Sequence, residues 1–299
     1  MPHLIGLIFA AAISLFAVKP AAGEMIGETR VYTIQADDVF VDIARKFDLG
    51  YNALRAANPG VDAWIPPVGQ EITLPLAHIL PDAPRHGIVI NLAEQRLYYF
   101  APGGEIRVFP VGVVRDGLTM PHGPGRIIAK RQHPTWIPPA SVRKERPELP
   151  VSVPPGPDNP LGDYALYTSW TEIRIHGTNK PMGVGRRVSH GCIRLYPEDI
   201  KWLFEHSEIG TPVTVVDQPV KTSWQGEKLY LEVHPRMEDA DEVEANGRTP
   251  ALADNGNFLR LVRAEVIKVT ENRTPPINWA LVEILANTRD GLPHQVTEE

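Results

Sequence analysis

Nine of the chain's 30 prolines fall between Arg131 and Pro160. Proline fixes φ and lacks the N–H that a helix interior or an inner strand needs, so this stretch reads as an ordered loop or flap laid on a β scaffold. The flanking sequence supplies the scaffold. Residues 87–91, 95–100 and 106–112 are short β-branched and aromatic runs punctuated by Gly and Pro, which predicts an antiparallel or mixed β core rather than a doubly wound α/β fold. Residues 164–167 and 173–175 have the same character, which puts His176 at a strand end. A helix follows with Pro197 in its first position, Glu198 and Asp199 at its positive end and Ile200, Leu203 and Phe204 on one face; Gly210 ends it before a strand over residues 211–216. The fold class expected is mainly β with helices, α+β.

Residues 4–18 are apolar but too short to span a bilayer comfortably, and Ala21, Ala22 and Gly23 follow. This is the pattern of a secretory signal over residues 1–23, cleaved before Glu24, although Met1-Pro2-His3 lacks the usual basic residue. No later segment approaches a membrane span, so the exported chain is expected to have no transmembrane anchor once the signal is removed. With 30 Lys+Arg against 36 Asp+Glu, the charge of −6 offers no footprint for nucleic acid.

Export sharpens the meaning of Cys192, the single cysteine. Oxidising compartments favour paired cysteines, so a lone thiol there reads as a nucleophile. Its base must be an imidazole within reach. His190, two positions away, cannot easily aim its ring at Cys192, whereas His176 can arrive from a neighbouring strand; His190 is expected to shape the loop or contact substrate. Gly191 allows a tight turn that lets the amides around Gly191 and Cys192 face a developing oxyanion. Arg194 either clamps a substrate carboxylate or pairs with an internal acid such as Asp199. A zinc site built from His176, His190 and Cys192 lacks a fourth ligand and any paired spacing, and a papain-like order would place cysteine first and histidine far downstream. Neither a metal nor a cofactor is expected.

An N-terminal module over residues 30–76 has strand character at 31–34, helical spacing at 39–47, a second short helix at 51–58 ending at Pro59-Gly60, and a closing strand at 69–75. This βααβ order, with Ala44, Leu54, Asn58-Pro59 and Ile72-x-Leu74-Pro75, resembles a LysM domain, which implies binding to the N-acetylglucosamine sugars of peptidoglycan or chitin. Ala36-Asp37-Asp38-Val39 stands where that family has a Gly-Asp-Thr turn, and a purely structural role stays open.

His176-Gly177-Thr178-Asn179, with Gly183, Gly185, Ser189-His190-Gly191-Cys192-Ile193-Arg194-Leu195 and Asp199, resembles the signature of YkuD-type L,D-transpeptidases, and residues 156–162 resemble the preceding segment in their Gram-negative periplasmic branch. The resemblance spans residues 86–217 and implies a β-sandwich-like catalytic domain. It also implies that Cys192 is the nucleophile, that His176 moves the proton, that the Gly177 carbonyl orients the imidazole, and that Ser189, His190, Gly191 and Arg194 serve substrate and oxyanion. The implied reaction takes a peptidoglycan tetrapeptide stem as a thioester at its diaminopimelate, releases D-alanine and passes the stem to an amine. That amine is a second diaminopimelate or a lysine of an outer-membrane lipoprotein; the same scaffold with water as acceptor would be an L,D-carboxypeptidase or a lipoprotein-releasing amidase. Residues 218–299 form an extension with a strand at 228–233, an acidic mobile loop at 238–246, and a helix over 279–289 capped by Asn278 and ended by Gly291.

Overall fold

The computed structural model of the chain describes residues 23–252 and 256–298; the signal expected over residues 1–23 lies outside them apart from Gly23. Among the described residues no helix is long and apolar enough to cross a membrane.

The N-terminal module opens with β1 (Met25–Ile26) and β2 (Arg30–Thr33), continues through α1 (Phe40–Lys46) and α2 (Tyr51–Ala57), and closes with β3 (Glu71–Leu74) and β4 (His78–Ile79). The helical spacing of Phe40, Ile43 and Ala44 brings them onto Leu54 and onto Ile34, Ile72 and Leu74 beside the β2–β3 pair. Asn58 joins the second helix to the closing strand: its Nδ2 donates to the Leu54 and Thr73 carbonyls at 2.8 Å, and its Oδ1 accepts from Thr73 N at 2.7 Å.

Next in the chain come β5 (Gly87–Asn91), β6 (Arg96–Phe100), β7 (Ile106–Pro110), β8 (Val113–Val114), β9 (Gly123–Gln132), α3 (Ala140–Glu145), β10 (Tyr164–Thr168), β11 (Arg174–His176), β12 (Arg187–Ser189), β13 (Ile193–Arg194), α4 (Pro197–His206) and β14 (Pro212–Val216). Eight of these strands form one sheet in the order β13-β11-β10-β9-β14-β5-β6-β7. The β11/β13 and β14/β5 pairs are parallel and the other pairs antiparallel, so the core is mixed. Ile88 and Leu97 from one half of the sheet share an apolar cluster with Leu166, Ile175 and Ile193 from the other, along with Ile200 and Leu203 of α4. The sheet therefore curls over its own core in a sandwich-like arrangement.

The proline-rich stretch is a flap with one six-residue helix, α3, and a bridge between Trp136 and Val153. Its prolines cannot donate backbone hydrogen bonds, and Asn159, fully buried, supplies donors instead. Asn159 Nδ2 donates to the carbonyls of Pro134 at 2.7 Å, Pro154 at 3.1 Å and Val153 at 3.2 Å, while Oδ1 accepts from Leu161 N at 2.9 Å.

The extension contains β15 (Val220–Gln225), β16 (Lys228–Val233), α5 (Ala240–Asn246), α6 (Asn257–Thr270), α7 (Trp279–Thr288) and β17 (Pro293–Gln295). Val262 and Val266 of α6 and Val282 and Leu285 of α7 pack on Leu229, Leu231 and Val233 of β16. Two expectations are corrected. Residues 238–246 are not a mobile acidic loop: a short 3-10 turn over Met237–Asp239 leads into α5, which buries Ala240 and Val243 and ends at Gly247 with φ 62°. Helix α7 is capped by Asn278 as expected, Oδ1 accepting from Leu281 N at 2.9 Å, but it ends on Arg289 in the left-handed conformation rather than on Gly291.

Two joints hold the parts together. At the first, the N-terminal module meets the segment leading to Cys192. A Cβ on Gly185, whose φ is 72°, would stand 2.2 Å from Gly50 Cα, so the two backbones touch. Asn52 N donates to Gly185 O at 3.1 Å, Tyr196 Oη donates to Leu49 O at 3.1 Å, and Arg45 grips Glu198 in a bidentate pair at 2.9 and 3.0 Å. The second joint is a buried charge network. Lys221 Nζ lies 2.9 Å from Glu94 Oε2 and 3.0 Å from Glu232 Oε1; Arg96 Nη1 lies 2.8 Å from Glu94, and His234 Nε2 lies 2.5 Å from Glu232. Glu232 also accepts from Ile79 N at 2.5 Å, and Lys221 Nζ donates to Ile79 O, so the linker, the β5–β6 turn and the extension meet around one cluster. Burial alone would raise the Glu94 carboxyl, yet Lys221 and Arg96 outweigh it and hold Glu94 down to about 2.

Candidate active site

The parallel pairing of β11 and β13 aligns Ile175 with Ile193 and His176 with Arg194. Ile175 and Ile193 both point into the core. Because strand side chains alternate, His176 and Arg194 turn to the opposite face, and one step earlier the same alternation directs Arg174 and Cys192 there too. The sequence signature is thus brought to one sheet edge by two short strands.

His176 is 3% exposed. Its Nδ1 lies 2.5 Å from the Gly177 carbonyl, which fixes the proton on Nδ1 and leaves Nε2 as the acceptor. Burial, followed by the charge of Arg194, lowers the imidazole to about 3, so the ring is neutral at ordinary pH. Gly177 leaves little room for a side chain: a Cβ would press on Ile200 Cγ2 at 3.0 Å.

Ser189, His190 and Gly191 shape the turn before the thiol. Ser189 Oγ donates to the Cys192 carbonyl at 2.6 Å and accepts from Gly191 N at 3.2 Å. Gly191 has φ 124°, which a side chain would disfavour. With the Gly191 amide engaged, the backbone donor left open beside the sulfur is the Cys192 amide, which has no partner among the described residues. His190 turns to the flap: its Nε2 lies 3.1 Å from Glu145 Oε2 on α3, and Glu145 in turn takes Arg115 at 2.7 Å.

The Cys192 thiol donates to the Glu172 carbonyl at 3.6 Å. Burial raises the thiol, opposed by the Arg174 amide and guanidinium and by Arg194. Arg194 forms no ion pair among the described residues, and its Nε is buried without a partner. The alternative of an Arg194–Asp199 pair is not realised, because Asp199 faces Asp48 of the N-terminal module. Burial and then the Asp48 charge push Asp199 up to about 9, so the two carboxyls hold a proton between them across the first joint.

Histidines 176 and 190 and Cys192 are not gathered as metal ligands. Among the described residues the ligand atoms within 4.8 Å of one another belong to Glu94, Glu232 and His234, where the Lys221 ammonium already bridges the carboxylates. Sequence reasoning missed Glu145, Arg115, Asn159, Glu172 and Arg174. Arg174 was within reach of it, since it stands two residues before His176 on a strand and so shares its face; the others depend on long-range packing.

The chain matches the YkuD L,D-transpeptidase catalytic domain over residues 85–215 and the LysM domain over residues 32–75. It is 41% identical to an Escherichia coli protein named "Probable L,D-transpeptidase YcfS", covering 78% of this chain and 79% of that one. It is 38% identical to E. coli "Probable L,D-transpeptidase ErfK/SrfK" and to E. coli "Probable L,D-transpeptidase YbiS", in each case covering 97% of this chain and 94% of the relative. With likeness of this extent across catalytic domain, N-terminal module and extension, the chain belongs to the L,D-transpeptidase family.

Proposed function

We propose that the protein works on peptidoglycan by acyl transfer, with Cys192 as nucleophile, His176 as proton carrier and the Gly177 carbonyl as the group that orients the ring. The observation that carries this reading is the common face of β11 and β13, on which the only thiol of the chain and a buried neutral imidazole stand on adjacent strands. The thiol swings from the Glu172 carbonyl and gives its proton to Nε2, and the sulfur attacks the diaminopimelate carbonyl of a tetrapeptide stem. The Cys192 amide receives the oxyanion. D-alanine leaves with the proton returned by His176, and the stem stays on sulfur as a thioester. An acceptor amine then forms the new amide and frees the thiol.

The flap favours transfer over hydrolysis, because the Arg115–Glu145–His190 chain ties α3 to the thiol loop and shields the thioester from water. Arg194, charged and without an ion-pair partner among the described residues, suits a carboxylate of the stem. The N-terminal module is read as the wall-binding part, the leader over residues 1–23 as the export signal to the periplasm, and a lipoprotein lysine as the acceptor ahead of a second diaminopimelate.

Mass spectrometry of the mature protein with a tetrapeptide stem tests the reading. Without an amine, an adduct equal to the stem minus D-alanine should map to the peptide containing Cys192 and be absent from Cys192→Ala. With a lysine-ended peptide or a second stem, it should discharge into an amide. Discharge to free acid only would make the protein a hydrolase, and turnover by Cys192→Ala would remove the reading altogether.

A further inference from the structure

Arg174 lies outside the signature that drew attention to the site, yet it is tied to the thiol by a shared acceptor. The Glu172 carbonyl accepts from Arg174 Nη1 at 3.4 Å and from Cys192 Sγ at 3.6 Å. Glu172 has φ 65°, a conformation disfavoured for a side-chain-bearing residue, so the turn before β11 holds this carbonyl between the two donors at some cost in backbone energy. The guanidinium lies over the Tyr167 ring of the adjacent strand, 5.1 Å from its centroid, which limits where it can go. Continuing the β11/β13 register back from Ile175 and Ile193 sets Arg174 level with Cys192, just as His176 is level with Arg194. The sulfur and the imidazole therefore lie between the same two arginines.

This placement has opposite effects on the two groups. Burial raises the Cys192 thiol on balance, and against it the Arg174 amide, the Arg174 guanidinium and Arg194 all favour the thiolate. The same cations disfavour an imidazolium: after burial, Arg194 and then Arg174 lower His176. The couple therefore rests as thiol and neutral imidazole, and the two arginines favour the sulfur's charge only once the proton has moved.

We propose that Arg174 is a positioning residue that holds the Cys192 sulfur against its guanidinium, so that the negative charge formed when the thiol gives its proton to His176 develops beside a cation. The S–H bond breaks, its electron pair stays on sulfur, and the proton rests on His176 Nε2, from which it returns to the leaving amine. The thiolate can no longer donate to the Glu172 carbonyl, which is left to Arg174. The charged groups acting on the sulfur are Arg174 from β11 and Arg194 from β13, with His176 on the same face, while His190, Glu145 and Arg115 are engaged with one another on the flap side.

The inference rests on Cys192 being the nucleophile, and its test needs no wall substrate. Alkylation of Cys192 by iodoacetamide is followed against pH in the full chain and in Arg174→Gln and Arg174→Lys. Loss of the charge should move the midpoint upward by about one unit and slow alkylation about tenfold at neutral pH, with the rate at high pH unchanged. Arg174→Lys should lie close to the unsubstituted protein. An unshifted midpoint in Arg174→Gln, a uniform loss of rate at every pH, or no restoration by lysine would overturn the proposal. The expected shift in a protein that forms no stem adduct would instead reject the transpeptidase reading and leave the role of Arg174 standing.

Discussion

His176 and His190 are both histidines near one thiol, and their surroundings separate them. His176 is buried, neutral and fixed by the Gly177 carbonyl; His190 is turned to Glu145 on the flap. His176→Ala should therefore lower stem-adduct formation by about 10²- to 10⁴-fold, whereas His190→Ala should retain most of the first step, as measured by adduct appearance in stopped reactions. Equal losses would reverse the assignment. Both histidines and the thiol were legible in the sequence because thiol chemistry needs an imidazole and the strand pattern supplies its position. The partner of Asp199 was not legible: Asp48 comes from a different module, far away in the chain, and the two meet only after both have folded.

At the scale of elements, the flap and the first joint make distinct predictions. Asn159 stands in for the N–H groups that the prolines lack, so Asn159→Ala leaves several buried carbonyls unpaired. The expected cost is about 2 kcal/mol of stability, read from denaturant unfolding, together with a larger share of hydrolysed stem as the flap loosens. A product ratio unchanged in a destabilised variant would separate the flap from water exclusion. At the joint, Gly185→Ala must push the chain off Gly50, because the added carbon would lie 2.2 Å from Gly50 Cα and φ is 72°. Thermal unfolding should begin earlier in that variant than in Gly183→Ala, where the contact is a movable Val188 methyl at 3.1 Å. Elements with a clear pattern, the β-branched and aromatic runs of β5 and β6 and the helical spacing of α1 and α4, could be read from the sequence. Strand β9 could not, since it starts Gly123-Pro124-Gly125 and only Ile127 within it is fully buried; it is held by neighbours on both sides, β10 and β14, rather than by its own pattern. Helix α5 was hidden for a related reason, its acidic residues concealing the two positions, Ala240 and Val243, that pack inward.

For the whole molecule, the two joints respond to pH in opposite directions. Glu94 is held down to about 2 in the folded chain, so the stability it contributes is full above the ordinary carboxylate range and is lost as pH falls through that range towards 2. Asp199 is raised to about 9, so its contribution is full below the ordinary carboxylate range and declines as pH rises towards 9. Melting curves should therefore fall off on both sides, with the alkaline decline flattened in Asp199→Asn and the acid decline retained. An alkaline limb identical in that variant would disconnect the carboxyl pair from stability. The exposed face of the N-terminal module carries Trp64, 56% exposed on the loop between α2 and β3, where an aromatic ring can stack on a sugar. Trp64→Ala should weaken retention on purified sacculi and leave turnover of soluble stems intact; unchanged retention would assign the module a scaffolding role. A point change is the better probe than removal of residues 30–76, because the module covers Gly185 and packs through α2 on α5.

The backbone contact between Gly50 and Gly185 lies seven residues before Cys192 in the chain. A segment of that length spans at most about 25 Å when extended. If the module grips glycan and the thiol takes the stem, the two are not strung on a loose tether but set at a near-constant offset, like the jaws of a caliper. A glycan strand seated on the module would offer the thiol only those stems that emerge at the matching distance along its repeat. The spacing of new attachments along a wall strand would then be written by the width of one protein joint.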